Sequence, residues 1–246
     1  MASESGDMKL LGNFGKLIEL ISTDPDYNPA NPKIKQPTLI AQKAAALAAI
    51  GGVGSSEASF KAVTNERQGA YEDLSGLMTR SGNMLKASGA GKKIIDDAKS
   101  VSRKVLGRRK TAIVKDNPNT PANEATKSHS ASQLSFENRS GNFNDYIDII
   151  ATEPSYVPNE PELKLAGLRA TSQNLTAKND AVNAAFAAMS AARGQRDALL
   201  YLSDDSIVNT AFLVKAYALA ALGRDSQTFK SIKGLEFARQ GKKPKA

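Results

Sequence analysis

The 246-residue sequence has no cysteine, no tryptophan and a single histidine. Without cysteine there is no disulfide, no thiolate nucleophile and no Cys-ligated metal, a composition that fits a reducing compartment. His129 stands alone in a polar stretch, which excludes a His-based triad or a His-rich metal site within one chain. Such a residue is ordinarily solvated. Aromatics make up 6% of the chain, and its 41% apolar content is carried largely by alanine. That composition suits closely packed helices better than a sheet sandwich, which draws on β-branched and aromatic residues. Long apolar runs are missing as well. The most apolar stretch, residues 211–223, is interrupted by Lys215 and falls short of a bilayer crossing. The opening MASESGDMKLLGNFG lacks a charged n-region followed by an apolar stretch, so no signal peptide is read. A soluble cytoplasmic protein with no membrane role is the expectation.

The familiar catalytic signatures are also lacking. ASGAGKK at 87–93 has Lys86 where a P-loop needs its first glycine and Lys93 where it needs Ser or Thr. GGVGSSE fails the dinucleotide fingerprint at its last glycine and has no strand before it. Asp96-Asp97 and Asp204-Asp205 are adjacent carboxylates, which on a helix point about 100° apart and do not converge on one ion. The second pair suits the positive end of a helix. No enzyme activity, cofactor or metal is expected.

What the chain does have is a repeat. A shift of 129 residues overlays GNFGKLIELISTDPDYNPANPKIKQPTLIA, from Gly12, on GNFNDYIDIIATEPSYVPNEPELKLAGLRA, from Gly141. The same shift pairs Leu39, Ala46, Val53 and Phe60 with Leu168, Leu175, Val182 and Met189. Both series step by seven, the spacing of a buried stripe on a helix packed at a shallow angle. With a two-residue slip, Lys99-Ser100-Val101 matches Lys230-Ser231-Ile232. So large a repeat is a duplicated domain rather than a solenoid element. The expectation is an all-α protein of two tandemly duplicated four-helix units, residues 1–110 and 138–246, joined by a flexible linker over 111–137. The linker is rich in Asn, Pro, Thr and Ser, and a cut there is expected to release two folded fragments.

Within the second unit the first helix is expected to open with Asn142 as N-cap. Three prolines in EPSYVPNEP, as in DPDYNPANP of the first unit, then force an extended strap. Tyr156 after Pro154, and Tyr27 after Pro25, read as anchors that bury a ring and keep a bonded hydroxyl; a peptide-recognition surface is the lesser alternative. Pro161 is expected in the first turn of the second helix. That helix should run to about Leu202, while GGVGSS at 51–56 should break or kink its counterpart, because each glycine costs about 1 kcal/mol. Third helices are expected at 74–88 and 204–222, fourth helices at 91–107 and 226–239. Arg67 and Arg196 extend the two apolar stripes and read as amphipathic rim residues; the alternative is a buried Arg, which would need a carboxylate partner.

Basic charge is concentrated. Residues 86–115 hold ten Lys or Arg against two Asp, and residues 230–246 hold six against one Glu. With a net charge of +8 over the whole chain, the remainder is acidic on balance. The candidate binding residues are therefore Lys92, Lys93, Lys99, Arg103, Lys104, Arg108 and Arg109 in the first unit and Lys230, Lys233 and Arg239 in the second. A solvated face is the commonest fate of such a run. An acidic protein surface, another copy of the chain included, ranks next, and nucleic acid third, since no base-stacking aromatics interleave the charges. The sequence thus points to a non-enzymatic helical scaffold or interaction protein with two similar surfaces, self-association included. The alternative is a basic nucleic-acid-associated protein.

Overall fold

The computed structural model describes residues 4–108 and 134–238, and among them all regular structure is helical. In chain order the helices are α1 (Glu4–Ser22), α2 (Gln36–Glu72), α3 (Leu74–Ala87), α4 (Lys92–Val105), α5 (Phe136–Ala151), α6 (Leu165–Asp197), α7 (Ile207–Leu222) and α8 (Gln227–Lys233). A 3-10 turn, Pro32–Ile34, precedes α2, and a π-helical segment, Ala198–Leu202, continues α6.

The apolar periodicity accounts for α1 and α5. Phe14, Leu17, Ile18 and Ile21 are buried on α1, and Phe143, Tyr146, Ile147 and Ile150 are buried at the same spacing on α5. Ser135 caps α5, its hydroxyl accepting from the Asn138 amide at 3.1 Å. The helix therefore starts well before Asn142, which lies inside it rather than at its cap. Residues 136 and 137, assigned to the linker, belong to this first turn. Ser206 and Ser226 cap α7 and α8 in the same way.

Both straps fold alike. The Tyr27 hydroxyl donates to the Ile34 carbonyl at 2.9 Å, and 129 residues on the Tyr156 hydroxyl donates to the Leu163 carbonyl at 2.8 Å. Each bond ties the middle of a proline segment to its end. Pro161 sits in the turn before α6, which opens only at Leu165.

The glycine run does not break α2. The helix is continuous for 37 residues, through Gly51, Gly52 and Gly54. Ala46 is buried before the run and Val53 within it, and the Ser55 hydroxyl donates to the Gly51 carbonyl at 3.2 Å. A helix already nucleated gains a bond with each added residue, so flanking packing outweighs the glycine penalty.

That continuity decides how the chain divides. The helices form two compact units, but not along 1–110 and 138–246. Unit 1 combines Met1–Phe60 with Ala185–Ala246, and unit 2 is Lys61–Ala184. Unit 1 sets α1 and the start of α2 against α7 and α8; unit 2 sets α5 and the start of α6 against α3 and α4. The unbroken α2 begins in unit 1 and ends in unit 2, so α1 and α3 belong to different units. The first four helices therefore do not close on themselves.

The helical run Leu165–Leu222 contains an 18-residue window of mean hydropathy 1.2, long and apolar enough to cross a membrane, where the sequence reading found none. Ile207, Val208, Ala211, Val214 and Ala218 in that run are fully buried. Core packing accounts for part of that hydropathy, 39% of the window being buried.

Candidate functional site

Both faces of α4 are explained by its sequence. Ala98 and Val105 are buried against the core of unit 2. Lys92, Lys93, Lys99 and Lys104 are exposed, and Arg103 is half-buried. The helix ends in a Schellman turn: Gly107 takes φ +65°, the Arg108 amide donates to the Arg103 carbonyl at 2.8 Å, and the Gly107 amide donates to that of Lys104 at 3.2 Å. Only glycine takes that φ without strain. The turn carries Arg108 back beside α4. Among the described residues, none of these six cations is in ion-pair reach of a carboxylate. Lys230 and Lys233 lie exposed in the last turn of α8, above the buried Phe229 and Ile232, where cations suit the helix dipole. Arg109, Arg239 and His129 lie outside the described residues.

Two of these cations, Lys99 and Arg108, line one cleft together with Lys86. A cleft of about 170 Å³ opens between α3 and α4, lined at its rim by Lys86, Lys99 and Arg108 and below by Met78, Ile95 and Leu106. The Tyr146 hydroxyl also lines it, held at 2.9 Å from the buried Ser81 hydroxyl. Burial pushes the Tyr146 phenol up, so the group is neutral and hydrogen-bonding near neutral pH. Gly82 keeps the cleft open above this hydroxyl: a β-carbon there would stand 3.6 Å from it.

Unit 1 carries a lysine at the corresponding position. Buried Leu74, Met78, Ser81 and Leu85 on α3 share their spacing with buried Ile207, Ala211, Val214 and Ala218 on α7. That register sets Lys215 where Gly82 stands. The Lys215 ammonium donates to the Lys233 carbonyl at 3.3 Å and to the Leu235 carbonyl at 2.5 Å, and lies 5.2 Å from the Phe237 ring centre. Its burial lowers its pKa.

The two stripe arginines are not rim residues. Arg196 is 12% exposed and forms ion pairs with Asp7 at 3.4 Å and Asp197 at 2.8 Å, while the Tyr201 hydroxyl donates to Asp7 at 2.5 Å. Arg67 instead lies 4.2 Å above the Phe136 ring centre, and the Tyr71 hydroxyl donates to the Phe136 carbonyl at 2.8 Å. Residues 7 and 136 are again 129 apart. Asp7 was legible in principle, because it extends the buried α1 series of Leu10, Leu11 and Phe14 and so puts a carboxylate on an apolar face. Asp96 and Asp97 are exposed, and the described residues hold no cluster of three or more His, Cys, Asp or Glu able to take a metal. No family model, curated protein or solved structure matches the chain.

Proposed function

We propose that this is a helical interaction protein without enzymatic activity, built by tandem duplication of a four-helix unit whose third and fourth helices have been exchanged between the copies. The paired tyrosine anchors support the duplication, and the composition of the two compact units supports the exchange. The two units present different surfaces. On α3 the exposed positions include the polar Ser75, Thr79, Arg80 and Asn83. The outer face of α7 carries exposed Phe212, Leu213, Ala216, Leu219 and Ala220 with no charge among them. That apolar face carries the proposal, since a contiguous exposed apolar patch marks a protein contact. Protein partners, another copy of the chain included, are favoured.

The experiment is light scattering behind size exclusion at low and high salt, after nucleic acid has been removed. Association through α7 should persist in high salt and vanish in Leu213→Glu with Leu219→Glu. A monomer under all conditions that captures no partner would sink the reading. The alternative, a nucleic-acid-associated protein, is favoured by the unpaired α4 cations. It predicts duplex or single-strand affinity that falls steeply with salt and is abolished by Gln at Arg103, Lys104, Arg108 and Arg109.

A further inference from the structure

We propose that the cleft between α3 and α4 is a binding site for a small organic anion, one carboxylate or phosphate carried on an apolar body about the size of a benzene ring. Three observations converge on it. First, the rim supplies Lys86, Lys99 and Arg108, with no carboxylate among the described residues in reach to neutralise them. Second, the walls below are Met78, Ile95 and Leu106, so the site offers charge at its mouth and apolar surface beneath. Third, the corresponding position on α7 carries Lys215, bonded to the Lys233 and Leu235 carbonyls, whereas Gly82 sets no side chain over the Tyr146 hydroxyl.

The volume sets the scale of the ligand. A dry cavity of about 150 Å³ takes one benzene ring, and this cleft measures about 170 Å³. Bulk inorganic anions would use the rim and leave the walls wet. A long acyl chain would not fit. The ligand is therefore compact: the guanidinium of Arg108 presents paired donors suited to a carboxylate or phosphate, and the ring lies against the walls. The site is independent of the α7 surface, so its failure leaves the interaction reading standing.

The test is isothermal titration calorimetry of the full chain at low salt with benzoate, phenyl phosphate and inorganic phosphate. Benzoate or phenyl phosphate should bind one site with a Kd of about 1 mM or tighter, and the tighter of the two names the preferred head group. Inorganic phosphate should bind at least about tenfold more weakly. Gly82→Leu fills the cleft from a half-buried helix edge and should abolish binding while the thermal melt holds. Arg108→Gln, on the solvent side, should weaken binding by about tenfold or more and carries the test should the leucine variant fail to fold. Arg103→Gln with Lys104→Gln should leave binding unchanged. Absence of saturable benzoate and phenyl phosphate binding at 10-fold above about 1 mM would overturn the proposal. So would equal affinity for inorganic phosphate, or undiminished binding to either cleft variant.

Discussion

Units 1 and 2 solve the same packing problem with different chemistry at two matched positions. Where unit 2 has Gly82 and an open cleft, unit 1 has Lys215 reaching the last carbonyls beyond α8. Where unit 2 lays Arg67 on the face of Phe136, unit 1 pairs Arg196 with the buried Asp7. The apolar series beneath are shared, down to the step of seven on α2 and α6. The lesson is that the stripe fixes the packing while the polar positions at its end are free to diverge, provided each arginine finds a partner.

Breaking the arginine contacts should separate the units most. Asp7→Ala removes a carboxylate that is 2% exposed and strips both Arg196 and Tyr201 of a partner. We expect a loss of about 4 kcal/mol in urea unfolding. Phe136→Ala should cost about half as much, because Phe136 is only half-buried. Equal losses would mean the buried ion pair has no special weight.

The strap anchors should differ less. Tyr156 is 4% exposed and Tyr27 is half-buried against Tyr217, with ring centres 5.2 Å apart. Tyr156→Ala should cost about 3 kcal/mol and Tyr27→Ala about 2. Burial pushes the Tyr156 phenol up to about 12 and raises that of Tyr27 as well. Above pH 10 the unfolded chain then gives up phenolic protons that the folded chain retains. Stability should be full below pH 10 and fall as pH rises from 10 toward 12, and Tyr156→Phe should flatten that fall. A melting temperature indifferent to pH between 10 and 12 would contradict the burial of these rings.

Smaller effects sharpen the contrast between Gly82 and Lys215. Lys215→Ala leaves the Lys233 and Leu235 carbonyls without their charged donor and should cost about 2 kcal/mol. Gly82→Ala, whose new carbon meets ordinary contact only, should stabilise the chain by about 1 kcal/mol through helix propensity. Destabilisation by Gly82→Ala would mean that the glycine is kept for packing rather than for an open cleft.

The helices themselves were legible because their signals are local. Phe143, Tyr146, Ile147 and Ile150 recur at helical spacing, and Tyr27 and Tyr156 stand at identical places among prolines. The division into units was not legible, and the cause is one segment. Propensity argues for a break at Gly51, Gly52 and Gly54, whereas burial of Ala46 and Val53 keeps α2 helical through them. Tertiary packing overrides propensity there, and with it goes the expectation that each copy folds alone. The basic residues of α4 were placed on the solvent side by the apolar spacing of Ala98 and Val105. The cleft was not, since it depends on Lys86 and Tyr146 from two other helices and on a missing side chain at Gly82.

The central claim is that each compact unit is assembled from both halves of the chain, and a single cut tests it most directly. A protease site placed within residues 109–133 leaves every described helix intact. After cleavage, size exclusion with light scattering should show one particle of unchanged mass, with an unchanged thermal melt, that releases its halves only in denaturant. Two separate folded fragments, each about half the mass and each melting on its own, would contradict the account and restore units that follow the sequence repeat.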